Sequence, residues 1–245
     1  MRSVPVLAFD ETTRMKPFFS YFGSKYRLAK FYPSPLPDVP IVEPFAGSAA
    51  YSVYYNAPKA ILYDVNPCIC GIWDYLIKVS PVEVMALPDR VVESTEEVKA
   101  PQAARDLIGF WLAKARGAPA KKIGPWARDY YSDTRAHVWG PAVKVRLASQ
   151  VEKIRGWQII QGSFDTCPDI RATWFIDPPY VTTARKTYVF NKINYLELAA
   201  FSYSRRGMAL NCDDISAPYL PFLPFHETLG IVKRTREALH VTWLD

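Results

Sequence analysis

Short apolar runs that stop on an acid alternate with segments of helical spacing along most of this chain. Pro40–Tyr55 (PIVEPFAGSAAYSVYY) opens as an apolar strand, breaks at Glu43-Pro44 and resumes as a small-residue helix after Gly47. Ala60–Asp64 (AILYD) reads as a second strand and Cys68–Val79 as an apolar helix. Strand signals return at Trp157–Gly162 (WQIIQG) and Thr173–Asp177 (TWFID). Ile193–Gly207 is expected to be an amphipathic helix stopped by Gly207, with a strand at Met208–Asp214 behind it. The stretch Glu227–Asp245 reads as two strands joined by a charged turn. Strands alternating with helices predict an α/β protein: a Rossmann-like, mostly parallel sheet covered by helices on both faces. From Ser80 the texture changes to helical spacing with polar caps and no clear strand. The expected organisation is therefore an α/β domain from residues 1–79 and 151–245, interrupted by a mainly helical insertion at 80–150. Four strands end on an acid, at Glu43, Asp64, Asp177 and Asp213. Ligands of open α/β sheets bind beyond the carboxyl ends of the strands, so these acids are expected to ring one crevice. Asp213-Asp214 is read as a solvated strand end rather than as a catalytic pair.

Composition adds a class and a candidate partner. The chain has 245 residues, 49% of them hydrophobic and 22% charged, as in ordinary globular proteins. No apolar run approaches the roughly 18 residues of a membrane span, and the N-terminal apolar run is too short for a signal peptide. Cys68, Cys70, Cys167 and Cys212 form no CxxC pair, so they read as reduced packing residues of a cytoplasmic protein, with no metal site. The net charge of +6 is modest but unevenly placed. Lys114–Arg155 holds ten lysines and arginines against three acids, interleaved with Trp126, Tyr130, Tyr131, His137 and Trp139. That pattern predicts a nucleic-acid surface on the insertion, with Lys114, Arg116, Lys121, Lys122, Arg128, Arg135, Lys144 and Arg146 as phosphate contacts.

Two motifs carry chemistry. The turn VEPFAGSA lets backbone approach a ligand at Gly47 and opens a helix N-terminus with free N–H groups. Asp64, ending the second strand, is placed as the acid that accepts ribose hydroxyls in a nucleoside site. No GxGxxG is present, which counts against a dinucleotide cofactor. The second motif is Asp177-Pro178-Pro179-Tyr180, closing the strand TWFID. The exocyclic amine of adenine or cytosine is a poor nucleophile, because its lone pair is delocalised into the ring. A carboxylate and a rigidly held carbonyl that accept its two N–H groups favour the tetrahedral nitrogen that attacks a methyl. Tyr180 is expected to offer an exposed flat face to a base flipped out of its stack.

These residues resemble the Dam-like, D12 class of N6-adenine DNA methyltransferases in their α arrangement. The resemblance runs through several blocks in the family's order, over about half of the chain. Pro17–Lys25 (PFFSYFGSK) is similar to the N-terminal block that holds the methionine end of S-adenosylmethionine, which implies roles for Tyr21, Gly23 and Lys25. Ser24 stands where that block has a second glycine. The loop VEPFAGSA is similar to the cofactor loop, implying cofactor contacts from Glu43, Phe45, Ala46, Gly47 and Ser48. Ala49 replaces that loop's second glycine and is expected to narrow the approach to the methionine moiety and alter affinity. LYDVNP implies Asp64 and Asn66 at the ribose. IQGSFDT implies Asp165 on the cofactor's adenine amine and Phe164 packed on that ring. Asp177, Pro178, Pro179 and Tyr180 fall on the catalytic block, with Asp177 also at the cofactor. The family's inserted segment recognises the target, which agrees with the basic stretch.

The resemblance therefore implies methyl transfer from S-adenosylmethionine to adenine N6 in double-stranded DNA, by base flipping. A restriction-modification, phage or free-standing setting is left open. The same motifs are compatible with structured RNA as substrate and with cytosine N4 as target. A binding protein with a decayed cofactor site is the alternative from another class, suggested by Ser24 and Ala49 and opposed by intact Lys25, Asp64 and Asp177–Tyr180.

Overall fold

A computed structural model describes residues 13–113, 116–129, 138–181, 188–229 and 234–245, with backbone alone at 227–229 and 234–236. Seven strands form one sheet: β1 Ile41–Glu43, β2 Ala60–Asp64, β3 Gln158–Gln161, β4 Ala172–Ile176, β5 Gly207–Asp214, β6 Leu223–Leu229 and β7 Arg234–Leu244. Their order is β3-β2-β1-β4-β5-β7-β6. All pairings are parallel except those of β7, which runs antiparallel to both β5 and β6. The chain steps outward from β1 to β2 and β3, then returns to lay β4 on β1's other side. That reversal makes a topological switch point between β1 and β4, where such sheets open a crevice.

Strand periodicity divides the apolar residues between the two faces of the sheet. Ile41, Leu62, Phe175, Met208, Leu210 and Cys212 pack into one cluster, while Val42, Tyr63, Trp174, Ile176 and Ala209 pack into another. Helices α1 (Ala50–Tyr54) and α2 (Pro67–Lys78) cover the first face, and α7 (Tyr195–Tyr203) covers the second. Helix α2 starts as the sequence signals. Asn66 caps it by accepting the Cys68 N–H at 3.0 Å, and Pro67 occupies the first turn. Helix α7 ends at Tyr203, four residues before Gly207, so Gly207 does not stop it. Gly207 instead opens β5 at φ +97°, where a Cβ would overlap the Ala172 carbonyl.

Among the described residues the 80–150 stretch carries the α-helices α3 Pro81–Ala86, α4 Gln102–Leu112, α5 Pro125–Asp129 and α6 Pro141–Ala148. Its apolar residues join the same cluster as the first sheet face. Leu107, Ile108, Phe110, Trp139 and Leu147 are fully buried alongside Trp73 and Leu62. The 80–150 stretch thus shares a continuous core with the sheet. No helix among the described residues is long and apolar enough to cross a membrane.

Candidate active site

The turn after β1 is held from below. The Ala46 N–H donates to the Tyr63 carbonyl (2.8 Å), and the Trp73 indole donates to the Gly47 carbonyl (2.9 Å). Gly47 has φ +45°, and a Cβ there would lie 3.1 Å from the Tyr21 ring. Its N–H donates to Asp64 Oδ2 at 3.0 Å, while Asp64 Oδ1 accepts the Asn66 N–H at 2.9 Å. Burial raises the Asp64 pKa against these hydrogen bonds. Ala49 adopts the left-handed conformation, φ 46° and ψ 46°, that a glycine takes without strain. Its methyl is fully buried in the core and does not line the cavity, so the expected narrowing of the approach does not occur. Ser24, the other departure, accepts a hydrogen bond from the Ser48 hydroxyl at 2.9 Å and so ties the first block to the loop.

The N-terminal block is anchored by two adjacent aromatics. Phe18 and Phe19 are buried and pack on Trp73 at 5.6 and 5.7 Å between centroids. The segment from Tyr21 to Lys25 forms one wall of a cavity of about 350 Å³ at the switch point. That is the lower end of the range for small-molecule sites. The cavity gathers Glu43 and the loop through Ser48, Asp64 and Asn66 after β2, Phe164 and Asp165 after β3, and Asp177 and Pro179 after β4. Phe45 and Phe164 stand 5.9 Å apart, tilted, as an aromatic wall. Every residue assigned to the cofactor from the sequence is therefore brought to one place.

Of the four strand-end acids, three share the cavity and Asp213 does not. Asp213 is fully buried instead of solvated, accepting from the Tyr219 hydroxyl (2.9 Å) and the Asp214 N–H (2.7 Å), and burial pushes its pKa up to about 7. Glu43 is buried, accepts the Ser52 N–H at 2.8 Å, and has its pKa pushed up to about 8 by desolvation.

Lys25, Asp177, Tyr180 and Glu237 form the centre. Lys25 Nζ lies 3.2 Å from Asp177 Oδ1 and 3.9 Å from Glu237 Oε1, and donates to the Gly23 carbonyl at 3.0 Å. Burial by itself lowers the Lys25 pKa, but the two carboxylates outweigh it and leave it raised. Desolvation lifts Asp177 to about 6, opposed by Lys25 and reinforced by Glu237. Tyr180 differs from the exposed ring the sequence predicts, being only 8% exposed. Its hydroxyl donates to Glu237 Oε2, and the Lys25 ammonium sits 4.5 Å from its ring centroid. It still borders an open depression lined by Val181 and residues 191–195. The proline turn is fixed from α7, where the Tyr195 hydroxyl donates to the Pro179 carbonyl.

Sequence reasoning missed Glu237 and the wall from Tyr188 to Phe190. The Tyr188 hydroxyl reaches the Phe22 carbonyl at 3.3 Å, and Phe190 lines the cavity while 45% exposed. The aromatic spacing of TYVF, just after the proline turn, is the signal that points there.

The predicted phosphate contacts separate into two groups. Arg116, Lys121, Lys122 and Arg128 are exposed, and the Arg116 carbonyl accepts from the Phe22 N–H at 3.2 Å, which ties this strap to the cavity wall. Lys144 and Arg146 do not face a ligand. Lys144 is 4% exposed, its ammonium bound to the Leu87 carbonyl (2.5 Å) and Asp89 (2.6 Å). Arg146 lies over the Trp111 ring at 4.7 Å, half-buried. Both lysine and arginine stems serve as packing surface here, which charge counting does not reveal. Lys114 and Arg135 lie outside the described residues.

The cavity at the strand ends thus combines an aromatic wall, the Asp64 carboxylate and the Asp-Pro-Pro-Tyr turn. Residues 21–107 match the family model of the D12 class N6 adenine-specific DNA methyltransferases, the family that the motifs resemble. The match supports methyl transfer. Among solved structures the chain resembles a conserved hypothetical protein of Streptococcus pyogenes, with 10% identity, 83% of this chain and 84% of that one covered, and a TM-score of 0.36. It also resembles a putative methyltransferase, yhhF, from Escherichia coli, with 9% identity, 82% and 75% covered, and a TM-score of 0.34. Likeness at that level is too low to carry a function across. No curated protein matches the sequence.

Proposed function

We propose that the protein transfers a methyl group from S-adenosylmethionine to the exocyclic N6 amine of adenine in DNA. The observation that carries the reading is the presence of Asp177 and its proline turn in the same cavity as Asp64 and the Glu43–Ser48 loop. The residues suit the cofactor. Each Asp64 oxygen accepts one backbone N–H, which leaves lone pairs for two ribose hydroxyls. Phe164 offers its face to the adenine ring, and exposed Asp165 an acceptor for the adenine amine. Tyr21, Gly23 and the loop through Ser48 enclose the methionine end.

When bound, S-adenosylmethionine supplies an electrophilic methyl on a sulfonium. Asp177 accepts one N–H of the target amine and the proline turn supplies a carbonyl for the other, turning the nitrogen lone pair toward the methyl. Tyr195 keeps that turn from yielding as the base arrives. As the nitrogen–methyl bond forms and the sulfur–methyl bond breaks, the amine sheds one proton to Asp177 or water. Asp177 also stabilises the positive charge that grows on nitrogen. The flipped base enters across the depression beside Tyr180, and Arg116, Lys121, Lys122 and Arg128 follow the phosphates, with the 80–150 segment as target-recognition unit.

Incubation with methyl-labelled S-adenosylmethionine and a mixture of DNA and RNA, followed by nucleoside analysis, tests this. N6-methyladenine from DNA is expected. Label in RNA or in N4-methylcytosine would reassign the substrate, and the absence of label with any nucleic acid would refute the reading.

A further inference from the structure

A buried acid from the far end of the chain enters the reaction centre, and none of the motifs accounts for it. Glu237 sits on β7, opposite Asp214 of the neighbouring β5. Its two oxygens face different partners: Oε2 accepts from the Tyr180 hydroxyl, and Oε1 lies 3.9 Å from Lys25 Nζ. The same ammonium is 3.2 Å from Asp177. One positive charge is thus divided between two carboxylates, of which Asp177 lines the cavity and Glu237 does not. Among the described residues, Lys192 also lines the cavity but is exposed to solvent, and no other cation reaches this cluster. Burial and the nearby carboxylates keep the Cys212 thiol and the Tyr32, Tyr180 and Tyr188 hydroxyls protonated. The cluster therefore carries a net negative charge in a poorly hydrated place, a costly arrangement until a cation joins it.

We infer that Glu237 is a positioning residue, acting through Lys25, that keeps the reaction centre anionic so that the cavity selects a cationic ligand over its neutral counterpart. The inference rests on the cofactor reading above. S-adenosylmethionine carries a sulfonium where the product S-adenosylhomocysteine carries a neutral thioether. The transferable methyl has to lie beside Asp177 to reach the amine that Asp177 holds, which brings the sulfonium close to the cluster. Without Glu237, Lys25 would neutralise Asp177 alone and the charge preference would weaken. With it, spent product is displaced by fresh cofactor.

Titration calorimetry with both ligands tests this without reference to turnover. Glu237→Gln keeps the shape and an oxygen to accept from Tyr180 but removes the charge. It is expected to cut the preference for S-adenosylmethionine over S-adenosylhomocysteine by roughly tenfold, the effect of one unit charge about 12 Å away at an effective dielectric constant of about 20, with affinity for the product nearly unchanged. Tyr180→Phe removes the hydrogen bond and leaves the charge, so its preference should match the wild type. Glu237→Leu provides a second neutral variant should the glutamine one fail to fold. Parallel weakening of both ligands, or an unaltered preference in a folded neutral variant, would overturn the inference and reduce Glu237 to a packing residue. Failure of the wild type to bind either ligand would instead remove the cofactor reading on which it stands.

Discussion

At the scale of single residues, Ala49 shows how conformation and chemistry separate. Its left-handed backbone costs an alanine about 1–2 kcal/mol. Ala49→Gly would relieve that strain but lose a buried methyl, worth about 0.8 kcal/mol, and gain unfolded-chain entropy of about 0.4–1 kcal/mol. These contributions nearly cancel. Denaturant unfolding should find the variant within about 1 kcal/mol of the wild type. Calorimetry should find its affinity for S-adenosylmethionine unchanged, since the methyl does not line the cavity. Asp177 carries a prediction of opposite character, about rate. Its carboxyl titrates near 6 because burial outweighs the Lys25 charge, and only its ionised form accepts the amine. The kcat/KM for the cofactor, which reports the unliganded enzyme, should fall as pH drops through about 6, approaching tenfold per unit below it. An acid limb centred near pH 4 would show that the acid is solvated in the unliganded enzyme.

At the scale of elements, the parallel strands were legible because buried strands write themselves as apolar runs, and the break after Asp177 because two prolines cannot continue a ladder. The cavity residues from Glu43 to Asp177 were legible for the same reason, each following a strand end. What the sequence hid depends on partners distant along the chain. Glu237 reaches Tyr180 only because β7 turns back against β5, 57 residues on. Asp213 looked solvated until the loop after β5 brought Tyr219 over it. Lys144 sits in a basic stretch like its neighbours, but α6 turns it inward to the Leu87 carbonyl. Two substitutions separate these cases. Lys144→Ala leaves that carbonyl unsatisfied and should cost about 1–3 kcal/mol in denaturant unfolding. It should leave the salt dependence of DNA binding as it was. Replacing Lys121 and Lys122 by glutamine should do the reverse, weakening DNA binding and flattening its salt slope by up to about 2 with little loss of stability. The exposed pair of Lys121 with Glu96, at 3.2 Å, is too well hydrated to hold that lysine back.

At the scale of the whole molecule, the strand ends concentrate buried acids at a net expense in stability, two of them in the crevice and Asp213 outside it. Glu43, Asp177 and Asp213 have pKa values of about 8, 6 and 7, all above the ordinary carboxylate range. Between the ordinary and the raised values the folded chain holds protons that the unfolded chain has released. Their contribution to stability therefore declines as pH rises from about 4 to about 8. Glu43→Gln keeps an acceptor for the Ser52 N–H and removes the largest of these declines. Its stability relative to the wild type should increase between pH 5 and pH 8.5, measured by denaturant unfolding at each pH. A relative stability independent of pH would mean that Glu43 is ionised in the folded protein. On the proposed reading Asp177, ionised above about pH 6, is the one of the three that meets the positive charge arriving with the cofactor and growing on the amine.

The measurement that bears most directly on this account uses Asp177→Ala with methyl-labelled S-adenosylmethionine and adenine-containing DNA, reading cofactor binding and label transfer on the same preparation. The account predicts a folded variant that binds the cofactor and transfers no methyl, while Asp177→Asn loses roughly 10²-fold or more in rate. Transfer by Asp177→Ala at the wild-type rate would contradict it, leaving the proline turn as a structural feature and placing the chemistry elsewhere.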